Sequence, residues 1–160
     1  MVKAGADPWA ALGRGIAWGF AAGGGVGLIP RIPGTAGALL ALGIYFSVPY
    51  PGNTAYLVAV LVLFLLGIPL STWVEKSSGR RDDPRIVWDE MVGMWVALYA
   101  LPPGWYFPLA AFVLFRVFDV WKPFGEPAPR GFGIMLDDLL AGVSANISIQ
   151  LALWLAGAFL

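Results

Sequence analysis

The residues able to do chemistry fall in three short clusters. Asp89-Glu90 follows Ile86-Val87-Trp88. Arg116, Asp119 and Lys122 sit at i, i+3 and i+6 in the stretch 115–123, and Asp137-Asp138 follows Gly133-Ile134-Met135-Leu136. At roughly 100° per residue, Arg116, Asp119 and Lys122 sweep one broad face of a helix, which Pro123 then stops. Adjacent carboxylates such as Asp89 and Glu90 point about 100° apart, so both reach one polar mouth only if that mouth is wide. The plain reading of each acid pair is that it complements a helix N-terminus, with Asp137 as N-cap of the last helix; Asp83 either caps the helix of Asp89 or joins the acid cluster. The functional reading is stronger, because acids entering so apolar a setting generally have a functional partner.

Brought together, Asp89, Glu90, Asp119, Asp137 and Asp138 would repel one another strongly at lowered dielectric. Arg116, Lys122 and Arg130 compensate only part of that charge, and a bound cation is the other remedy. The chain has no histidine and no cysteine, so a metal site here must be built from oxygen. Oxygen donors favour a hard ion, and Mg²⁺ suits a site that also handles phosphate. The same absences exclude histidine-dependent triads, phosphohistidine chemistry, the usual catalytic zinc sites, cysteine nucleophiles and disulfides. Gly34-Thr35-Ala36-Gly37 at a helix start adds backbone N–H groups and a hydroxyl, which can hold an anion.

The elements that must carry these groups read as membrane helices. The chain has 160 residues, which predicts one domain over 1–160. It is 59% hydrophobic and 12% charged, with a mean hydropathy of +0.75, about half the charged share of an ordinary soluble domain. Net charge is zero, which argues against a nucleic-acid partner. Charge is absent from Ile32 to Val74, and Pro49–Asn53 splits that region into a hairpin whose second arm, Thr54 to Val74, is long enough to span. Charge is absent again from Met91 to Phe115, split at Leu101–Trp105, and Leu139 to Leu160 reads as a final span. The predicted fold is an all-α polytopic membrane bundle of about five spans plus an N-terminal interfacial helix over the glycine-rich start. Every charged residue then lies on one side. The arginine and lysine excess near span ends makes that side cytoplasmic, and Tyr50, Trp105 and Tyr106 anchor the far interface. A soluble domain of very hydrophobic helices is the competing architecture. An ion-coupled transporter is the competing function, but it would need polar groups at mid-depth and beyond. A Mg²⁺-dependent lipid headgroup transferase is a third reading.

In four ordered blocks the sequence resembles the phosphatidylglycerophosphatase A family of bacterial membrane enzymes. The blocks are Gly27-Leu28-Ile29-Pro30 with Pro33-Gly34-Thr35 and Gly37; Ile86 to Glu90 with Gly93; Phe115-Arg116 with Phe118-Asp119 and Trp121-Lys122-Pro123; and Gly133 to Asp138 with Ala141-Gly142. The resemblance implies Mg²⁺-dependent removal of the terminal phosphate from phosphatidylglycerophosphate, a phosphorylated glycerolipid, at the cytoplasmic face of the bacterial inner membrane. On that footing Asp89, Glu90, Asp119, Asp137 and Asp138 supply metal ligands and a base for water. Arg116, Lys122 and Arg31 grip phosphate oxygens, with Thr35 assisting. The chain departs from the family after Trp121-Lys122-Pro123, where 124–132 is short and lacks the family's histidine. Another histidine, before the Asp-Glu pair, is also missing; either these histidines are dispensable in this chain, or Arg130 or Arg85 replaces them as a phosphate ligand.

Overall fold

The computed structural model describes residues 8–80, 83–121 and 131–158. Every regular element among them is helical, and none is a strand. Helix α1 (Pro8–Ala21) leads through a 3-10 turn (Gly23–Leu28) into α2 (Pro33–Ser47) and α3 (Asn53–Ser78); α4 (Trp88–Ala97), α5 (Tyr106–Trp121) and α6 (Gly131–Ala158) follow. Pro33 opens α2 at a position where its missing N–H costs nothing. Gly79 ends α3 in the left-handed conformation, φ 68°, that glycine adopts without penalty. The chain breaks at Pro49–Asn53 and Leu101–Trp105 as predicted, but of the five expected spans only α3 and α6, among the described residues, have the length and apolarity of one.

Two expectations need correction. Helix α6 starts at Gly131, so Asp137 lies in its second turn and is not an N-cap. Gly131 allows the close backbone approach expected of the glycines that open the last span: a Cβ there would lie 2.5 Å from the Ile68 carbonyl oxygen of α3. Asp83 does not cap α4 either. Val87 occupies that position without a side-chain cap, and Asp83 is instead bound by Arg85.

Helices α3 and α6 are long and apolar enough to cross a membrane, and only 28% and 22% of their most apolar windows are buried. A core helix of a soluble domain would be mostly covered, so their bare faces favour lipid as the solvent. Helix α4, at 10 residues, is too short to cross alone. It is packed in the centre instead, against α6 and α2, where Met94, Leu98, Phe115 and Ala145 are fully buried. Its indoles are satisfied by neighbouring backbones: Trp95 Nε1 donates to Ala41 O at 3.0 Å and Trp88 Nε1 to Leu63 O at 3.1 Å.

Beyond Ala97 the chain leaves the helix, and Ala100 is left-handed at φ 51°. The freed carbonyls are taken by amides of α6. Asn146 Nδ2 donates to Ala97 O (3.1 Å) and Tyr99 O (2.7 Å), and Gln150 Nε2 donates to Ala100 O (3.1 Å). Irregular backbone in an apolar setting is tolerated only when its polar groups are paired in this way. At the opposite end, the start of α2 meets the start of α4 and the last turns of α5. This gathers the charged blocks.

Candidate active site

Asp89 and Glu90 occupy the first turn of α4, where the positive end of the helix dipole favours them. Asp138 comes from α6. Each of these three residues offers a carboxylate oxygen within 4.8 Å of the others. Asp89 and Asp138 are buried, each 5% exposed, and Glu90 is half-buried. The Glu90 Oε2 atom is enclosed and accepts no hydrogen bond. Leaving an ionised oxygen enclosed and unmatched is expensive. The trio therefore has the donor set, the crowding and the unmet oxygen of a hard-cation site, and the residues fit Mg²⁺.

Helix α5 closes the next side. Arg116 Nη1 donates to Asp119 Oδ2, one turn on, and both side chains are largely shielded, at 21% and 14% exposure. Asp119 also lies near enough to Glu90 to repel its charge, as does Asp138. Helix α2 supplies the remaining wall through Gly34. A Cβ at Gly34 would run into Glu90 Oε1 and sit 3.0 Å from Glu90 Cδ and 3.3 Å from Arg116 Nη1. The missing side chain at Gly34 thus lets the Glu90 carboxylate and the Arg116 guanidinium both approach the first turn of α2.

Of the other residues singled out in the sequence, Asp137 lies outside the close trio, and Thr35 is half-buried on the first turn of α2. Arg31 is exposed on the turn before α2, in left-handed backbone at φ 74°. Among the described residues it enters no ion pair. Lys122 and Arg130 lie outside the described residues. Arg85 is paired within its own loop. It donates through Nε and Nη2 to both oxygens of Asp83, at 2.9 and 2.6 Å, and its guanidinium stacks 4.6 Å over Trp18 of α1. Sequence reasoning missed the part played by Gly34. The only available signal was its place one residue into a helix beside the block that carries Thr35.

The phosphatidylglycerophosphatase A family model matches residues 19–153. The chain belongs to this family. Family members named phosphatidylglycerophosphatase A include one from Escherichia coli, 38% identical over 148 residues (88% of this chain, 81% of the relative). A second, from Haemophilus influenzae, is 42% identical over 138 residues (81% and 84%). A Bacteroides thetaiotaomicron protein with a provisional phosphatidylinositol-3-phosphatase name is 44% identical over 145 residues (83% and 91%). The trio, Arg116, Asp119 and Gly34 all lie within the family match. No solved structure matches the chain.

Proposed function

We propose that this chain is a Mg²⁺-dependent lipid phosphatase that hydrolyses phosphatidylglycerophosphate to phosphatidylglycerol and phosphate in phospholipid biosynthesis. One observation carries the chemistry: three carboxylates from two helices converge within 4.8 Å beside the Arg116 guanidinium. Family membership carries the substrate.

In this reading Asp89, Glu90 and Asp138 hold the cation, and Asp137, the preceding residue of α6, is the further ligand proposed. When bound, Mg²⁺ would neutralise charge on the phosphate and acidify water. Arg116 points two-pronged charge at the phosphate oxygens, and Arg31, Thr35, Lys122 and Arg130 are the further phosphate contacts proposed. Asp119, held in place by Arg116, takes a proton from the attacking water. The water oxygen bonds to phosphorus, the bond from phosphorus to the glycerol oxygen breaks, and the proton is returned to that oxygen. Direct attack is favoured over a covalent aspartyl-phosphate because the acids do not form an Asp-x-Asp arrangement. Such a reaction is slow in water, and positioning with charge neutralisation supplies what lowers its barrier.

The same reading places the whole chain, as one unit, in the bacterial cytoplasmic membrane, with α3 and α6 as full passes, the shorter α2, α4 and α5 packed against them, and α1 at the interface. The starts of α2, α4 and α6 and the end of α5 form the cytoplasmic mouth. The lipid's acyl chains stay among the spans. The test is phosphate release from phosphatidylglycerophosphate and, separately, from phosphatidylinositol 3-phosphate, with Mg²⁺ or with chelator. Release from the first lipid should require Mg²⁺ and vanish in Asp89→Asn and Asp119→Asn. Near-wild-type turnover by both variants refutes the roles given, and faster turnover of the inositol lipid moves the substrate to the activity named in the Bacteroides relative.

A further inference from the structure

Helices α4 and α6 touch backbone to backbone, and the touching residues stand one turn past the acids. Gly93 follows Asp89 by four residues on α4, and Gly142 follows Asp138 by four on α6. A Cβ on Gly93 would lie 2.5 Å from the backbone oxygen of Asp138 and 2.9 Å from its carbonyl carbon. A Cβ on Gly142 would run into the Gly93 carbonyl and come within 3.0 Å of Val96 Cβ. The obstacles are mostly backbone, which cannot rotate aside as a side-chain end can. Ordinary contact would need the two helices to part by about 1 Å.

We propose that the Gly93–Gly142 contact sets the width of the cation site, so that the chain selects an ion of Mg²⁺ size over Ca²⁺. This rests on the metal-dependent reading of the trio, for which the enclosed, unmatched Glu90 Oε2 is the independent sign of a missing ligand. Mg²⁺ holds oxygen at about 2.0–2.1 Å in near-ideal octahedral geometry, whereas Ca²⁺ holds it at about 2.3–2.6 Å and tolerates irregular geometry. Across a site with ligands on both sides that difference amounts to between about 0.4 and 1.2 Å. It matches the gap that one methyl group would force between α4 and α6. Gly93 and Gly142 are positioning residues: they touch neither ion nor substrate and act through the spacing of Asp89 and Asp138.

The full chain in lipid nanodiscs, without substrate, is titrated with Mn²⁺ by electron paramagnetic resonance, with Mg²⁺ and Ca²⁺ as competitors. Wild type should bind Mg²⁺ more tightly than Ca²⁺. In Gly93→Ala or Gly142→Ala, Mg²⁺ affinity should fall about tenfold or more, the scale seen when support around a metal site is lost, and Ca²⁺ affinity should fall far less. Gly67→Ala is the control for mere packing damage, because a Cβ there meets the flexible end of Met135 and the Trp88 ring. It should leave the Mg²⁺:Ca²⁺ ratio unchanged. An unchanged ratio in the α4 and α6 variants, or an equal change in Gly67→Ala, overturns the proposal. Should neither variant fold, the wild type still decides, since equal or inverted preference for Ca²⁺ overturns it. Wild type that binds no cation, or binds it indifferently to Asp89→Asn, overturns the metal reading itself and the spacing role with it.

Discussion

Gly34→Ala separates the site from the fold more cleanly than any acid substitution. Alanine is the better helix former, by about 0.5–1 kcal/mol in a helix interior and less at a helix start, so α2 should be neutral to the change or slightly firmer. The new Cβ, however, meets Glu90 Oε1 head on, with Glu90 Cδ at 3.0 Å and Arg116 Nη1 at 3.3 Å. Restoring ordinary contact requires the Glu90 carboxylate to move by about 1 Å, and it is enclosed on its other side, where Oε2 is already buried. A displacement of that size in a positioned catalytic group costs about 10²-fold in rate, or about 2.7 kcal/mol of transition-state stabilisation. The assay is phosphate release from phosphatidylglycerophosphate in detergent–lipid micelles at saturating Mg²⁺, run beside thermal unfolding of the same sample. The expected result is a loss of about 10²-fold in turnover with an unfolding midpoint at or above wild type. Turnover within about threefold of wild type would refute the claim that Glu90 acts from this position. A drop in midpoint parallel to the activity loss would refute the claim that the collision is confined to the site.

Two further predictions concern the frame around the site. Asn146→Leu removes both hydrogen bonds to the Ala97 and Tyr99 carbonyls. It should lower stability by about 1–2 kcal/mol, seen as a lower unfolding midpoint in micelles, with the Mg²⁺ dependence of turnover unchanged. The second concerns pH. Hydrogen bonding from Arg85, against the cost of burial, holds the Asp83 carboxyl down at about 2 from an ordinary 3.8. A depressed carboxyl stabilises the fold above its unfolded value, and that contribution is lost as pH falls toward the folded one. Asp83→Asn should therefore be less stable than wild type near neutrality. The gap should close between about pH 4 and pH 2 as measured by unfolding midpoints. A gap that stays constant across that window would show that Asp83 is not the titrating contact.

What the sequence disclosed and what it hid follow from the range of the interactions involved. The helix breaks at Pro49–Asn53 and Leu101–Trp105 are local, set by residues that cannot continue a helix, and they stand where the chain places them. Convergence of Asp89, Glu90 and Asp138 was legible too. Successive helices that reverse direction bring the start of α4, the end of α5 and the start of α6 to one end, whatever the details of packing. Long-range contacts were not legible. Arg85 looks like a free cation beside the Asp-Glu pair until α1 lays Trp18 beneath it. The polar residues Asn146 and Gln150 look like blemishes in an apolar span until the frayed end of α4 claims them.

The glycines show the same limit most sharply. Gly34, Gly93 and Gly142 matter for what is missing between two helices, and a residue defined by absent atoms leaves no periodicity or charge to read. Yet they explain why the trio can exist at all. Carboxylates on short side chains reach one another only if their helices come closer than a methyl group allows, and the repulsion then stored among them disappears only when a cation enters. Close packing and electrostatic discomfort are thus two sides of one arrangement. A fold that drew α4 and α6 together for packing alone would place leucine and alanine where this chain keeps Asp89 and Asp138.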